Sequence, residues 1–127
     1  MIMKIMTIII ILTITISCVI GLSIADTRGQ TGLASFYSYE CANQPMANGK
    51  LFDPEKRTCA SWFYSLGTVL RVQSLDTGKM TEVIVTDRGP NKRLVREGRV
   101  IDLSKKAFEE ICVLQKGLTK VVITVKE

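Results

Sequence analysis

Hydrophobic and polar positions divide this chain into two unequal parts. From Ile5 to Ala25 the sequence is an almost unbroken apolar run, with Lys4 as the only charge before it. Beyond residue 25 the pattern shortens and begins to alternate. Gly32–Tyr39 is rich in aromatic residues and reads as a first strand. Thr68–Gln73 alternates like a half-buried strand, Leu75-Asp76-Thr77-Gly78 is a turn, and Met80–Thr86 is the return strand of a hairpin. Arg99–Asp102 and Leu118–Val125 read as two further short strands. Ser104 is placed to cap a helix from Lys105 to about Leu114, with Ala107, Phe108 and Ile111 on its buried face. Cys41–Arg57 carries Pro45, Asn48-Gly49 and Asp53-Pro54, the marks of a long loop, and Asn91–Gly98 is a charged loop. Several short strands with one clear helix predict a small, mostly-β barrel.

The apolar start has a short basic lead, an apolar middle and a small-x-small end at Ser23-Ile24-Ala25, which describes a secretory signal peptide over residues 1–25. An uncleaved membrane anchor is the main alternative, since about 20 apolar residues span a bilayer. Lipid attachment at Cys18 is a third. Each places the rest of the chain outside the cytoplasmic membrane, with membrane contact only through that segment. Residues 26–31 then form a polar, flexible lead-in, and residues 32–127 form one small domain.

Charge and cysteines narrow the chemistry. Of the formal net charge of +5, Lys4 contributes one unit, and the remaining basic residues are dispersed. A mildly basic exported domain suits an anionic surface such as a cell wall, and the scatter argues against nucleic acid. Cys41 and Cys59 flank the long loop and are the candidate disulfide, while Cys112 reads as a small buried residue in the helix. The chain has no histidine and no Cys-x-x-Cys spacing, so neither a metal site nor a cofactor is expected.

The candidate chemistry sits in Val83-Ile84-Val85-Thr86-Asp87-Arg88-Gly89-Pro90, where an apolar strand ends on one acid and is stopped by Gly-Pro. A residue there is held still yet reaches solvent. Asp87 either pins its own turn through backbone amides or carries the chemistry. Arg88 points the other way if the strand continues, so it braces the turn or touches substrate. Asp102, next to the Ser104 cap, reads as an organiser of the helix start. Seven of the eight aromatic residues fall between Phe36 and Tyr64, a cluster of apolar faces with polar edges. Phe36 and Phe52 are expected in the core, and Tyr37 and Trp62 on the ligand side.

Five blocks occur in the order of the RlpA-like (rare lipoprotein A) domain, which this chain resembles from about residue 32 to 125. They are Gly32-Leu33-Ala34-Ser35-Phe36-Tyr37, Met46-Ala47-Asn48-Gly49, Leu66-Gly67-Thr68, Thr86-Asp87-Arg88-Gly89-Pro90 and Ile101-Asp102-Leu103-Ser104. The resemblance implies a six-stranded double-psi β-barrel, the fold of the first expansin domain and of barwin-like proteins. It also implies an exported protein acting on peptidoglycan or a related wall polysaccharide, with lytic transglycosylase activity as the best-known role. That reaction needs a carboxyl to protonate the leaving oxygen and a base to take the proton of the sugar's 6-hydroxyl.

The family pattern implies Asp87 as the catalytic acid/base, and it places a Glu where this chain has Lys50 and a His where it has Ser61. Lys50, Ser61, Tyr37, Trp62 and Arg88 are therefore the candidate glycan contacts around Asp87. A cation beside a carboxylate favours its charged form, which cannot donate a proton. Two function classes remain open at this point: a lytic transglycosylase working through Asp87, and an expansin-like module that grips glycan without cutting it.

Overall fold

The computed structural model describes residues 29–127, so the leader and Cys18 lie outside the described residues. Six strands close into one barrel: β1 (Gln30–Phe36), β2 (Thr58–Ala60), β3 (Val69–Ser74), β4 (Met80–Asp87), β5 (Arg99–Leu103) and β6 (Thr119–Val125). Around the barrel they run β1-β5-β2-β4-β3-β6, and β6 closes back on β1. The pairs β1/β5 and β2/β4 are parallel and the others antiparallel. This is the double-psi barrel expected from the resemblance. Closure leaves no unpaired sheet edge, which a domain this small would otherwise have to protect.

Alternation fills the interior. Leu70 and Val72 of β3, Val83 and Val85 of β4, Ile101 and Leu103 of β5, and Val121 and Ile123 of β6 are all buried. Each such side chain contributes about 1.5–3 kcal/mol on leaving water. Two short helices complete the fold: α1 (Lys92–Arg96) and α2 (Lys105–Ile111). Ser104 caps α2 by accepting from the Ala107 N–H, and Ala107, Phe108 and Ile111 are its buried residues, as the spacing predicts. The Phe108 ring meets Phe36 at 4.8 Å between centroids, which fastens the helix over β1.

Several expectations are corrected. Gln30 and Thr31 belong to β1, where they pair with Ile123 and Val122, so the end of the expected lead-in is part of the barrel. The charged loop after Pro90 contains α1, whose first turn is capped by Asn91 accepting from the Arg93 N–H. The second helix stops at Ile111, because Cys112 is already extended. The expected Cys41–Cys59 disulfide is not formed, and both are free thiols. Cys59 is buried inside β2, where removal from water pushes its thiol up to about 12, while Cys41 stays half-exposed on a 3-10 turn. A side chain committed to the barrel core is not available to a partner on the outer loop.

Candidate active site

One row of residues crosses four strands. Ser35 of β1 pairs with Asp102 of β5, Asp102 with Ala60 of β2, and Ala60 with Asp87 of β4. Two acids thus flank one small residue, and an irregularity between Cys59 and Ala60 shifts the β2/β4 register so that Ala60 stands level with Asp87. Gly89 closes over this row. A Cβ there would lie 3.2 Å from the Ala60 Cβ and 3.6 Å from Asp102 Oδ2. Its φ of 157° also favours glycine, so the turn after Asp87 can lie flat against the acids only without a side chain.

Asp87 accepts hydrogen bonds on both oxygens. Oδ1 takes the Ala47 N–H at 2.9 Å and the Arg88 N–H at 2.8 Å. Oδ2 takes the Tyr37 hydroxyl at 2.8 Å. The two amides occupy Oδ1, which leaves Oδ2 as the oxygen with room for a proton. Tyr37 lies two residues beyond Ser35 and packs its ring on buried Phe52, 4.7 Å between centroids. Burial first, then the bond to Asp87, raises the Tyr37 phenol far above its ordinary range, so it stays a donor. The Ala47 amide comes from the 45–51 hairpin, whose Asn48 N–H also bonds the Thr86 carbonyl at 3.1 Å. That hairpin is a strap across the end of β4.

Asp102 is the residue the sequence reading misplaced. Its carboxylate accepts from the Ser35 hydroxyl, across the β1/β5 pair. Burial pushes its carboxyl above the usual carboxylate range, and the Asp87 charge pushes the same way; the Ser35 bond and Arg99 oppose them. The helix start is served by Ser104 instead. Strand parity was the available signal, because Ser35 and Asp102 each follow an inward residue, Ala34 and Ile101.

The other expected site residues separate into three groups. Trp62 is 44% exposed, and its indole N–H donates to the Pro90 carbonyl at 2.6 Å, which ties it to the turn after Asp87. Lys92 Nζ stands 5.0 Å from its ring centroid. Arg88 takes the bracing role: its guanidinium donates to the carbonyls of Ser61 at 2.8 Å and Tyr64 at 2.6 Å. Ser61 does not face a ligand. It is fully buried, its N–H donates to the Asp87 carbonyl and its hydroxyl accepts from the Phe63 N–H. Lys50 is exposed and lines a different groove with Thr86 and Ile84. Among the described residues Asp87 is in no ion pair, so the expected lysine beside the acid is not there.

Fold and site together define a double-psi β-barrel protein with two half-buried carboxyl groups beside one small residue. Comparison with known proteins narrows this. Residues 29–123 match the family described as lytic transglycolase. The probable endolytic peptidoglycan transglycosylase RlpA of Treponema pallidum is 36% identical over 92 residues, covering 72% of this chain and 28% of that protein. The endolytic peptidoglycan transglycosylase RlpA of Vibrio cholerae is 35% identical over 96 residues, covering 76% of this chain and 35% of that protein. An expansin mutant of Clavibacter michiganensis, solved in complex with cellohexaose, superimposes with a TM-score of 0.58 at 22% identity, covering 79% of this chain and 51% of that one. The chain belongs to the RlpA-like lytic transglycosylase family, and it spans about a third of the length of these curated relatives.

Proposed function

We propose that this protein is an exported cell-envelope domain that cleaves peptidoglycan glycan strands by the lytic route, with Asp87 as general acid and then general base. The observation that carries this reading is the row of Asp102, Ala60 and Asp87, with Tyr37 bonded to Asp87. The names of the RlpA relatives supply the substrate class.

The steps follow from the hydrogen bonds. A proton on Oδ2 of Asp87 passes to the glycosidic oxygen as the bond to the muramyl carbon breaks. The Tyr37 hydroxyl then supports the carboxylate that forms, as a donor aimed where charge develops. The same carboxylate takes the proton of the sugar's 6-hydroxyl, and that oxygen closes the anhydro ring without water. Asp102 supplies the second carboxyl. Burial first, and to a lesser degree the Asp87 charge, pushes its carboxyl above the usual carboxylate range. The exposed face of Trp62, fixed by its bond to Pro90, offers a stacking surface for an adjoining sugar ring.

One observation favours an expansin-like binder instead. Ser61 stands where the resemblance places a His, and it is fully buried. The two readings part in one assay. Glycan strands stripped of their peptides are incubated with the protein and the products read by mass spectrometry. New anhydro-muramyl ends establish lytic cleavage; capture of strands without new ends establishes the binder.

A further inference from the structure

A lysine without an acidic partner stands at the ring proposed to stack a sugar. Lys92 opens α1, two residues beyond Pro90, whose carbonyl accepts the Trp62 indole N–H at 2.6 Å. Its Nζ lies over the indole, 5.0 Å from the ring centroid. Both residues are exposed, so the ammonium lies on the side of the ring that a ligand approaches. Lys92 is in no ion pair among the described residues. The nearer cation in sequence, Arg88, is already held by the carbonyls of Ser61 and Tyr64. Asp87 and Asp102 meanwhile set two acids at this end of the barrel. Acids repel a ligand that brings a carboxylate of its own, unless a cation meets that carboxylate.

We propose that Trp62 and Lys92 form one subsite that selects the muramyl sugar by its lactyl carboxylate, the indole taking the sugar ring and the ammonium the acid. The inference rests on the glycan reading of the Asp87 site and adds which of the two alternating sugars lies on Trp62. A muramyl sugar without a peptide ends in a free carboxylate on its lactyl ether. Its neighbour, an N-acetylglucosaminyl sugar, has none. A neutral sugar laid on the indole pushes the ammonium off its cation–π contact and offers no charge in exchange. A muramyl sugar gives the displaced ammonium a carboxylate instead. Selection therefore combines a penalty against the neutral ring with an attraction for the acidic one. Lys92 is a specificity residue in this scheme and takes no part in moving protons.

The test pulls down peptide-free glycan strands with the intact protein, in the cold and before cleavage. The strands are used in two forms: native, with free lactyl carboxylates, and amidated, after carbodiimide and methylamine have neutralised them. Native strands should be captured about two- to fivefold more tightly, the size of one exposed charge pair. Raised salt should erode the difference. Lys92→Ala should remove the preference without weakening capture of amidated strands, and Lys92→Arg should keep it. Lys79→Ala, which removes one exposed cation from the turn before β4, should keep it too. A preference that survives Lys92→Ala overturns the inference. So does an equal loss of both forms in that variant, which would make Lys92 a mere support for the Trp62 ring. Equal capture of both forms by wild type overturns it while leaving the glycan site standing, and capture of neither form removes the glycan reading as well.

Discussion

Asp76 and Asp87 stand at opposite ends of the β3–β4 hairpin, and each carboxylate is held by several donors. Asp76 lies in the turn before β4. Its Oδ2 accepts from the Thr119 hydroxyl at 2.8 Å and the Lys120 N–H at 3.1 Å, and it pairs with Lys116 Nζ at 3.0 Å. Asp87 accepts from one phenol and two amides, is in no ion pair among the described residues, and has a second carboxyl nearby. These donors hold the Asp76 carboxyl down to about 2, which commits it to the charged form. The same residue type is therefore a cation-paired clamp at one end of the barrel and, in the proposed function, the acid/base at the other. What separates the two roles is the charge of the partners, not their number.

After loss of Asp87 itself, breaking the second carboxyl gives the largest expected effect at the active end. Asp102→Asn keeps the shape and can still bond Ser35, yet it removes the acid coupled to Asp87. Formation of anhydro ends should fall by about 10- to 100-fold, and the pH–rate profile should lose one limb. An unchanged profile would detach Asp102 from the chemistry. Tyr37→Phe sharpens the same end by removing one donor while keeping the ring on Phe52. A drop of about tenfold in kcat/KM with little change in KM is expected, since a bond to a charged group is worth about 1.5–3 kcal/mol. Gly89→Ala tests the lid over the row. The strained φ and the Ala60 contact should cost about 1–3 kcal/mol in denaturant unfolding.

The smallest effects come from pH, and they have opposite signs at the two ends. Asp76 is lowered on folding, so its stabilisation is complete above its ordinary unfolded value near 4 and fades as pH falls toward 2. Asp102 is raised on folding, so its contribution is full below that ordinary value and is lost as pH rises through the raised one. Melting curves of Asp76→Asn should lack the acid-side loss seen in the parent, and those of Asp102→Asn should lack the loss on the rising side. Matching slopes in all three proteins would erase the contrast.

The sequence disclosed the barrel unevenly, for physical reasons. The β3–β4 hairpin was legible because alternation and an Asp-Thr-Gly turn are both local signals. The α2 cap was legible for the same reason. β2 was not, since three residues carry no period and its place between β4 and β5 depends on pairings far along the chain. Asp87 was legible as the end of a strand before Gly-Pro. Asp102 was assigned to the neighbouring helix because Ser104 is near in sequence, whereas its partner Ser35 is 67 residues away. Ser61 and Lys50 were placed beside Asp87 by family position. Backbone register sends one into the core, and the strap carries the other into a different groove. The expected disulfide failed on the same point, since loop closure says nothing about which way β2 turns Cys59.

The central claim is that Asp87 moves the protons. Its most direct test compares wild type and Asp87→Asn on the same peptide-free glycan strands, counting anhydro-muramyl ends by mass spectrometry while circular dichroism confirms the fold. The account predicts ends that accumulate with wild type and are absent with Asp87→Asn. Equal accumulation with both proteins would contradict it.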